Sequence, residues 1–118
     1  MVRALFRDRQ GRLWAGTATG ALCLSGTRWE RFPFQLNGIT STVYTINQDR
    51  ADTLWFGTQQ GVIRMTDRDR RVYTTADGLA DNYIFSIFED RAGRLWFGNR
   101  QGVSRFDGHT WSADVLPA

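Results

Sequence analysis

The sequence predicts an all-β protein made of β-propeller blades, with three four-stranded antiparallel sheets in 118 residues. Three observations predict it. The chain repeats with a period of 41 residues, its apolar runs are short and alternate, and turn-forming residues separate them. Trp14, Trp55 and Trp96 mark the period, and Asp8/Asp49/Asp90, Leu13/Leu54/Leu95, Gly16/Gly57/Gly98 and Gly20/Gly61/Gly102 hold the same register without a gap. Residues 43–70 match 84–111 at 12 of 28 positions, and residues 2–29 match 84–111 at 11. Trp29 and Trp111 match at twice the period. A repeat of about 40–45 residues holding four strands has the size of a propeller blade.

The middle unit shows the four strands in order. Val43 to Gln48 alternates and runs into the turn Asp49-Arg50-Ala51-Asp52. Leu54 to Thr58 follows, then the turn Gln59-Gln60-Gly61, then Val62 to Met65. Arg71 to Thr74 is the fourth run, and a polar segment leads on to the next unit. β-Branched and aromatic residues bounded by Gly, Asp and Asn favour strands. No stretch carries the 3.6-residue apolar period of an amphipathic helix. The chain therefore reads as one domain of three blades, at approximately 1–41, 42–82 and 83–118.

Each recurring residue has a structural explanation. In Asp90-Arg91-Ala92-Gly93 the acid accepts backbone N–H bonds and the glycine takes a positive φ, which closes a hairpin. Asp52 replaces that glycine in the middle unit, and Asp tolerates the left-handed region better than most residues. The Trp of each Leu-Trp pair is expected between neighbouring blades, where one indole removes about 150–250 Å² from water. Trp14, Trp55 and Trp96, with Trp29 and Trp111, are thus packing residues between blades or between subunits. Gly16, Gly57 and Gly98 stand inside strands, where glycine marks a bulge or the close approach of another backbone.

Composition narrows the function. The apolar fraction of 42% and charged fraction of 23% are those of a globular chain. No apolar run reaches the roughly 20 residues needed to span a bilayer, so no membrane partner is expected, and Met1 to Leu5 opens no signal peptide. All 15 basic residues are arginine, and the net charge is +3. The arginines are interleaved with acids, as in Asp67-Arg68-Asp69-Arg70, and form no basic stripe, so no nucleic acid is expected as a partner. Cys23 is the single cysteine, which excludes an intrachain disulfide and leaves no cysteine zinc site.

The pattern Asp-Arg-x-Gly-Arg-Leu-Trp-x-Gly-(Thr/Asn)-x-x-Gly stands at Asp8 to Gly20 and Asp90 to Gly102, with a variant at Asp49 to Gly61. It resembles the two-component regulator propeller repeat of sensor regions in bacterial hybrid histidine kinases. Ala76 to Tyr83 resembles the Asp-Gly-Leu segment that precedes the innermost strand in that family. The resemblance implies seven-bladed propellers in tandem, placed before a membrane span and a kinase, and it implies a ligand-sensing role on the periplasmic side.

Three blades are fewer than the roughly four to eight that close a propeller. The first and last units keep the interior pattern, with no polar cap, so two apolar faces are expected to be open. The first unit's face should fit the third unit's face of another copy, a head-to-tail contact that gives a ring if the rotation closes. The expectation is a homodimer of six blades or a homotrimer of nine. Each blade is complete within the chain, so closure requires no strand exchange. A fragment of a longer array, or a scaffold without a ligand of its own, is the alternative reading.

Ligands of propellers meet the funnel at one end of the channel, lined by second-to-third-strand loops and by loops between blades. Those segments supply Gln59, Gln60, Arg100 and Gln101 from the first set and Asp81, Asn82 and Tyr83 from the second. Arg3, Tyr44 and Phe85, on the innermost strands, are expected to face the channel. Amide, guanidinium and aromatic groups together suit a carbohydrate or other small ligand. No catalytic residue, cofactor or metal is expected. His109 sits in a turn, no serine–histidine–acid set can be assembled, and Asp49 with Asp52 is too small a set for Ca²⁺. A propeller enzyme acting on carbohydrate, as lyase or hydrolase from the funnel, is the competing class, because two carboxylates about 5–10 Å apart would suffice for glycoside cleavage.

Overall fold

The computed structural model describes residues 1–36 and 38–115. Blade 1 consists of β1 (Val2–Arg7), β2 (Leu13–Thr17), β3 (Gly20–Ser25) and β4 (Arg28–Phe32). A short hairpin, β5 (Gln35–Leu36) with β6 (Ile39–Thr40), leads into blade 2. Blade 2 holds β7 (Val43–Gln48), β8 (Leu54–Thr58), β9 (Gly61–Met65) and β10 (Arg70–Tyr73). After a 3₁₀ turn at Thr75–Asp77 comes blade 3: β11 (Ile84–Glu89), β12 (Leu95–Asn99), β13 (Gly102–Phe106) and β14 (Trp111–Val115). Each blade is a sheet in sequential strand order, antiparallel throughout. The first strands β1, β7 and β11 lie side by side, so they are the innermost strands around a common axis.

The two connections between blades differ from one another. From blade 2 to blade 3, Thr74 accepts from Ala76 N–H and Asp77 closes a reciprocal cap, winding one 3₁₀ turn. The first connection instead folds into the β5–β6 hairpin. It pins Phe34 beneath it at 2% exposure, packed edge-on to Phe56 at 5.0 Å. Both connections cap a blade junction, and they do it by different local chemistry.

Two apolar clusters join the blades. Trp14, Ala21 and Cys23 of blade 1 pack with Val43, Ile46, Leu54, Phe56 and Ile63 of blade 2. Trp55, Val62 and Tyr73 of blade 2 pack with Ile84, Leu95, Phe97 and Phe106 of blade 3, and Trp111 leans against that cluster. Gly57 shows why glycine recurs in the second strand. A Cβ there would stand 2.9 Å from the Ile84 carbonyl of the next blade and 2.6 Å from Thr45 Cγ2. Without it, the innermost strand of one blade can approach the backbone of its neighbour.

Equivalent positions on the outer faces are exposed. Val43 and Ile84 are fully buried, whereas Val2, one repeat earlier, is 54% exposed. Ile46 is 8% exposed and its counterpart Leu5 is 66% exposed. At the other end Phe88 is 64% exposed, while Phe6 packs against the first cluster. Trp29 is likewise open on the blade 1 face, and Trp96 on the blade 3 face is only half-buried, where Trp14 and Trp55 are sealed.

Candidate functional site

The innermost strands carry a bulge at one recurring position. In β1 the pairing passes from Val2↔Thr17 to Ala4↔Gly16, so Arg3 is the extra residue. Tyr44 occupies the same place in β7 and Phe85 in β11. A bulge bends its strand and re-aims the side chain it carries. The three extra residues consequently form one row across three blades. The Arg3 guanidinium lies 5.7 Å from the Tyr44 ring centre, and Tyr44 and Phe85 are 4.9 Å apart. Tyr83 extends the row at 6.3 Å from Phe85.

Arg100 joins this row to the rim. Its guanidinium sits 3.8 Å from the centre of the Tyr83 ring and grips Asp81 with two bonds, Nε to Oδ2 at 2.7 Å and Nη2 to Oδ1 at 2.8 Å. Those Arg100 bonds draw the buried Asp81 carboxyl down from the ordinary 3.8 to about 2, against the opposing effect of burial. The structure thus brings Arg3, Tyr44, Phe85, Tyr83, Arg100 and Asp81 into one connected row of contacts.

The other rim residues expected at a site are engaged in holding loops. Asn82 accepts Thr75 N–H through its side chain at 2.9 Å and Gly61 N–H through its carbonyl at 2.6 Å. Gln59 N–H donates to the Thr42 carbonyl, and Gln60 N–H to Thr58 Oγ1. Gln60 Oε1 is buried without a hydrogen-bond partner among the described residues. Gln101 N–H donates to Asn99 Oδ1 and leaves its side chain exposed. Second-to-third-strand loops and inter-blade segments therefore meet: the Asn82 carbonyl accepts from the loop of the preceding blade, and the Thr42 carbonyl from the loop of the following one.

The opposite rim is a fastening, and sequence reasoning missed its two parts. The indole N–H of Trp14, Trp55 and Trp96 donates to the carboxylate of Asp8, Asp49 and Asp90, at 2.8, 2.9 and 2.9 Å. The constant six-residue spacing from Asp to Trp was the available signal. The second part crosses each junction. Arg9 N–H donates to Gln48 Oε1 at 2.9 Å, and its guanidinium donates to the Asp49 carbonyl at 2.7 Å and pairs with Asp52. One repeat on, Arg50 N–H donates to Glu89 Oε1 at 3.0 Å, and its guanidinium donates to the Asp90 carbonyl at 2.7 Å and pairs with Glu89. Asp49 Oδ1 also accepts Ala51 and Thr53 N–H, which holds that carboxylate in its turn. His109 is exposed in its turn. Among the described residues no group of three or more metal-ligating side chains converges.

Sheets arranged around an axis, each fastened to the next by a repeated turn, define a β-propeller repeat protein. Residues 1–19, 37–60 and 78–101, more than half of the chain, match the two component regulator propeller. The chain belongs to that family. No curated protein matches it in sequence. Among solved structures it is similar to the extracellular domain of the putative hybrid two component system BT3049 from B. thetaiotaomicron, at 28% identity and a TM-score of 0.79 over 90% of this chain and 15% of that one. It is also similar in fold to virginiamycin B lyase from Staphylococcus aureus, at 18% identity and a TM-score of 0.78 over 99% of this chain and 42% of that one. PorZ, a surface component of the type-IX secretion system of Porphyromonas gingivalis, shares the fold at 18% identity and a TM-score of 0.72, over 90% of this chain and 17% of that one. The chain spans less than half the length of each of these proteins.

Proposed function

We propose that the chain is a non-catalytic, ligand-sensing propeller module that closes its ring by pairing with copies of itself. The observation that carries this reading is the contrast at equivalent positions. Val2, Leu5 and Trp29 on one face, and Phe88 and Trp96 on the other, occupy places that neighbouring blades bury inside the chain. The two faces are complementary in kind, because the front of blade 1 has the architecture that blade 2 presents to blade 1. Exposed apolar side chains gathered on one face mark an interface. Two copies give six blades and three give nine. Sedimentation equilibrium tests the reading: a dimer or trimer supports it, and a monomer of 13.5 kDa at high micromolar concentration overturns it.

Within the ring the row Arg3–Tyr44–Phe85–Tyr83 would line the channel. Aromatic faces beside guanidinium groups suit stacking of a sugar ring and hydrogen bonding to its oxygens. The family membership supports a sensing role for that surface. A thermal-shift screen against neutral and acidic oligosaccharides tests it, with Tyr44→Ala and Phe85→Ala expected to abolish any shift. Turnover of a screened sugar would favour an enzyme instead.

A further inference from the structure

We infer that Arg7 sets the strength of the contact between two copies by opposing Arg91, so that the contact made by the chain with itself is held weak. The inference rests on the ring-closure reading above and names the residue that limits it. At both internal junctions the arginine of the first turn meets the same reception in the next blade: an acceptor for its backbone N–H, a carbonyl for its guanidinium, and one carboxylate. For Arg9 these are Gln48, the Asp49 carbonyl and Asp52. For Arg50 they are Glu89, the Asp90 carbonyl and again Glu89. The carboxylate moves between two places. Where the strand end is neutral Gln48, the turn supplies Asp52; where the turn has Gly93, the strand end supplies Glu89.

Arg91 is the third arginine of this series and is exposed at the open end. In a head-to-tail contact it meets blade 1 of the second copy, where the turn position is Gly11 and the strand-end position is Arg7. That blade still offers the Asp8 carbonyl, which among the described residues accepts only Gly11 N–H. At those two positions it offers no carboxylate, and it places a cation where Gln48 and Glu89 accept. The position is one that closure covers: Gln48 is 7% exposed and the Glu89 side chain 18%, whereas Arg7 is exposed. Like charges brought together at an interface disfavour that pairing, and the effect is screened by salt.

The test is sedimentation equilibrium of the wild-type chain, Arg7→Glu, Arg91→Ala and the double variant, in low and high salt. Arg7 is exposed, and circular dichroism checks that each variant folds. Arg7→Glu is expected to tighten self-association tenfold or more, wild-type association to strengthen as salt rises, and the gain from Arg7→Glu to shrink several-fold in the Arg91→Ala background. Arg7→Gln should give an intermediate gain, since it restores the N–H acceptor alone. A folded Arg7→Glu chain that associates no better than wild type, or a gain equally large without the Arg91 side chain, overturns the inference. A monomeric wild type with an associating Arg7→Glu variant would sink the ring-closure reading for the natural chain and leave the Arg7 assignment standing.

Discussion

The indole N–H of Trp55 donates to Asp49 Oδ2 at 2.9 Å, across six residues of chain. That bond ties the hairpin turn of a blade to the residue that seals its junction with the next. Asp49 Oδ1 meanwhile accepts two backbone N–H groups of the turn. One carboxylate thus fixes the turn, orients the indole and satisfies the single polar atom of a side chain that is 2% exposed. Asp49→Ala is expected to destabilise the chain by about 2–4 kcal/mol, since it strands a buried indole N–H and frees the turn. Urea unfolding measures it, with the exposed Asp67→Ala as a control expected within about 0.5 kcal/mol of wild type.

Gly57 should tolerate no side chain. The Ile84 carbonyl and Thr45 Cγ2 already occupy the space of a Cβ, so Gly57→Ala must push blades 2 and 3 apart. A cost of about 1–3 kcal/mol follows from overpacking of this kind. Gly26→Ala is the informative comparison. It meets open space at a φ of +65°, and only the left-handed backbone penalises it, by about 1–2 kcal/mol. A Gly57→Ala chain as stable as wild type would contradict the close approach.

Acid should weaken the fold late and over a narrow range. Asp81 is drawn down to about 2 by its bonds from Arg100, and Asp90 to about 2 by its bond from the Trp96 indole. A carboxylate whose folded pKa lies below its unfolded value stabilises the fold above the unfolded value, and that contribution is lost as protons bind on the way down. Tm is expected to hold from pH 7 to about 4.5 and to drop between about 4 and 2. Asp81→Asn should flatten part of the drop. A fall of Tm beginning near pH 6 would assign acid sensitivity to other groups.

Faces and cores should respond differently to the same change. Phe56 is fully buried between blades 1 and 2, and Phe56→Ala is expected to cost about 3–5 kcal/mol. Phe88→Ser, on the open face, should leave monomer stability within about 0.5 kcal/mol of wild type and abolish self-association. Paired urea unfolding at low concentration and light scattering at high concentration separate the two effects. A large loss of monomer stability in Phe88→Ser would place that residue in a core.

The 41-residue period, read from Trp14, Trp55 and Trp96, was enough to determine blade number, strand order and the places of the turns. A repeat imposes the same local solution three times, so weak propensities reinforce one another. Asp49 could be read as a turn former because its backbone role is local. Its bond to Trp55 depends on how the second strand folds back, which no local pattern states. The row Arg3–Tyr44–Phe85 was legible only as positions on innermost strands. The bulge that places Arg3, Tyr44 and Phe85 together arises from pairing with β2, β8 and β12, and pairing is a relation between strands. The partnership of Arg100 with Asp81 and Tyr83 likewise joins a loop to the segment between blades, 19 residues earlier.

Sequence alone therefore determined the four-stranded unit and its count, because alternation, turn chemistry and periodicity act over a few residues. Tertiary structure decided which copies of an equivalent residue are covered and which are bare. Val2 and Val43 share a place in the repeat and differ only in whether another sheet lies against them, and burial is a property of neighbours in space.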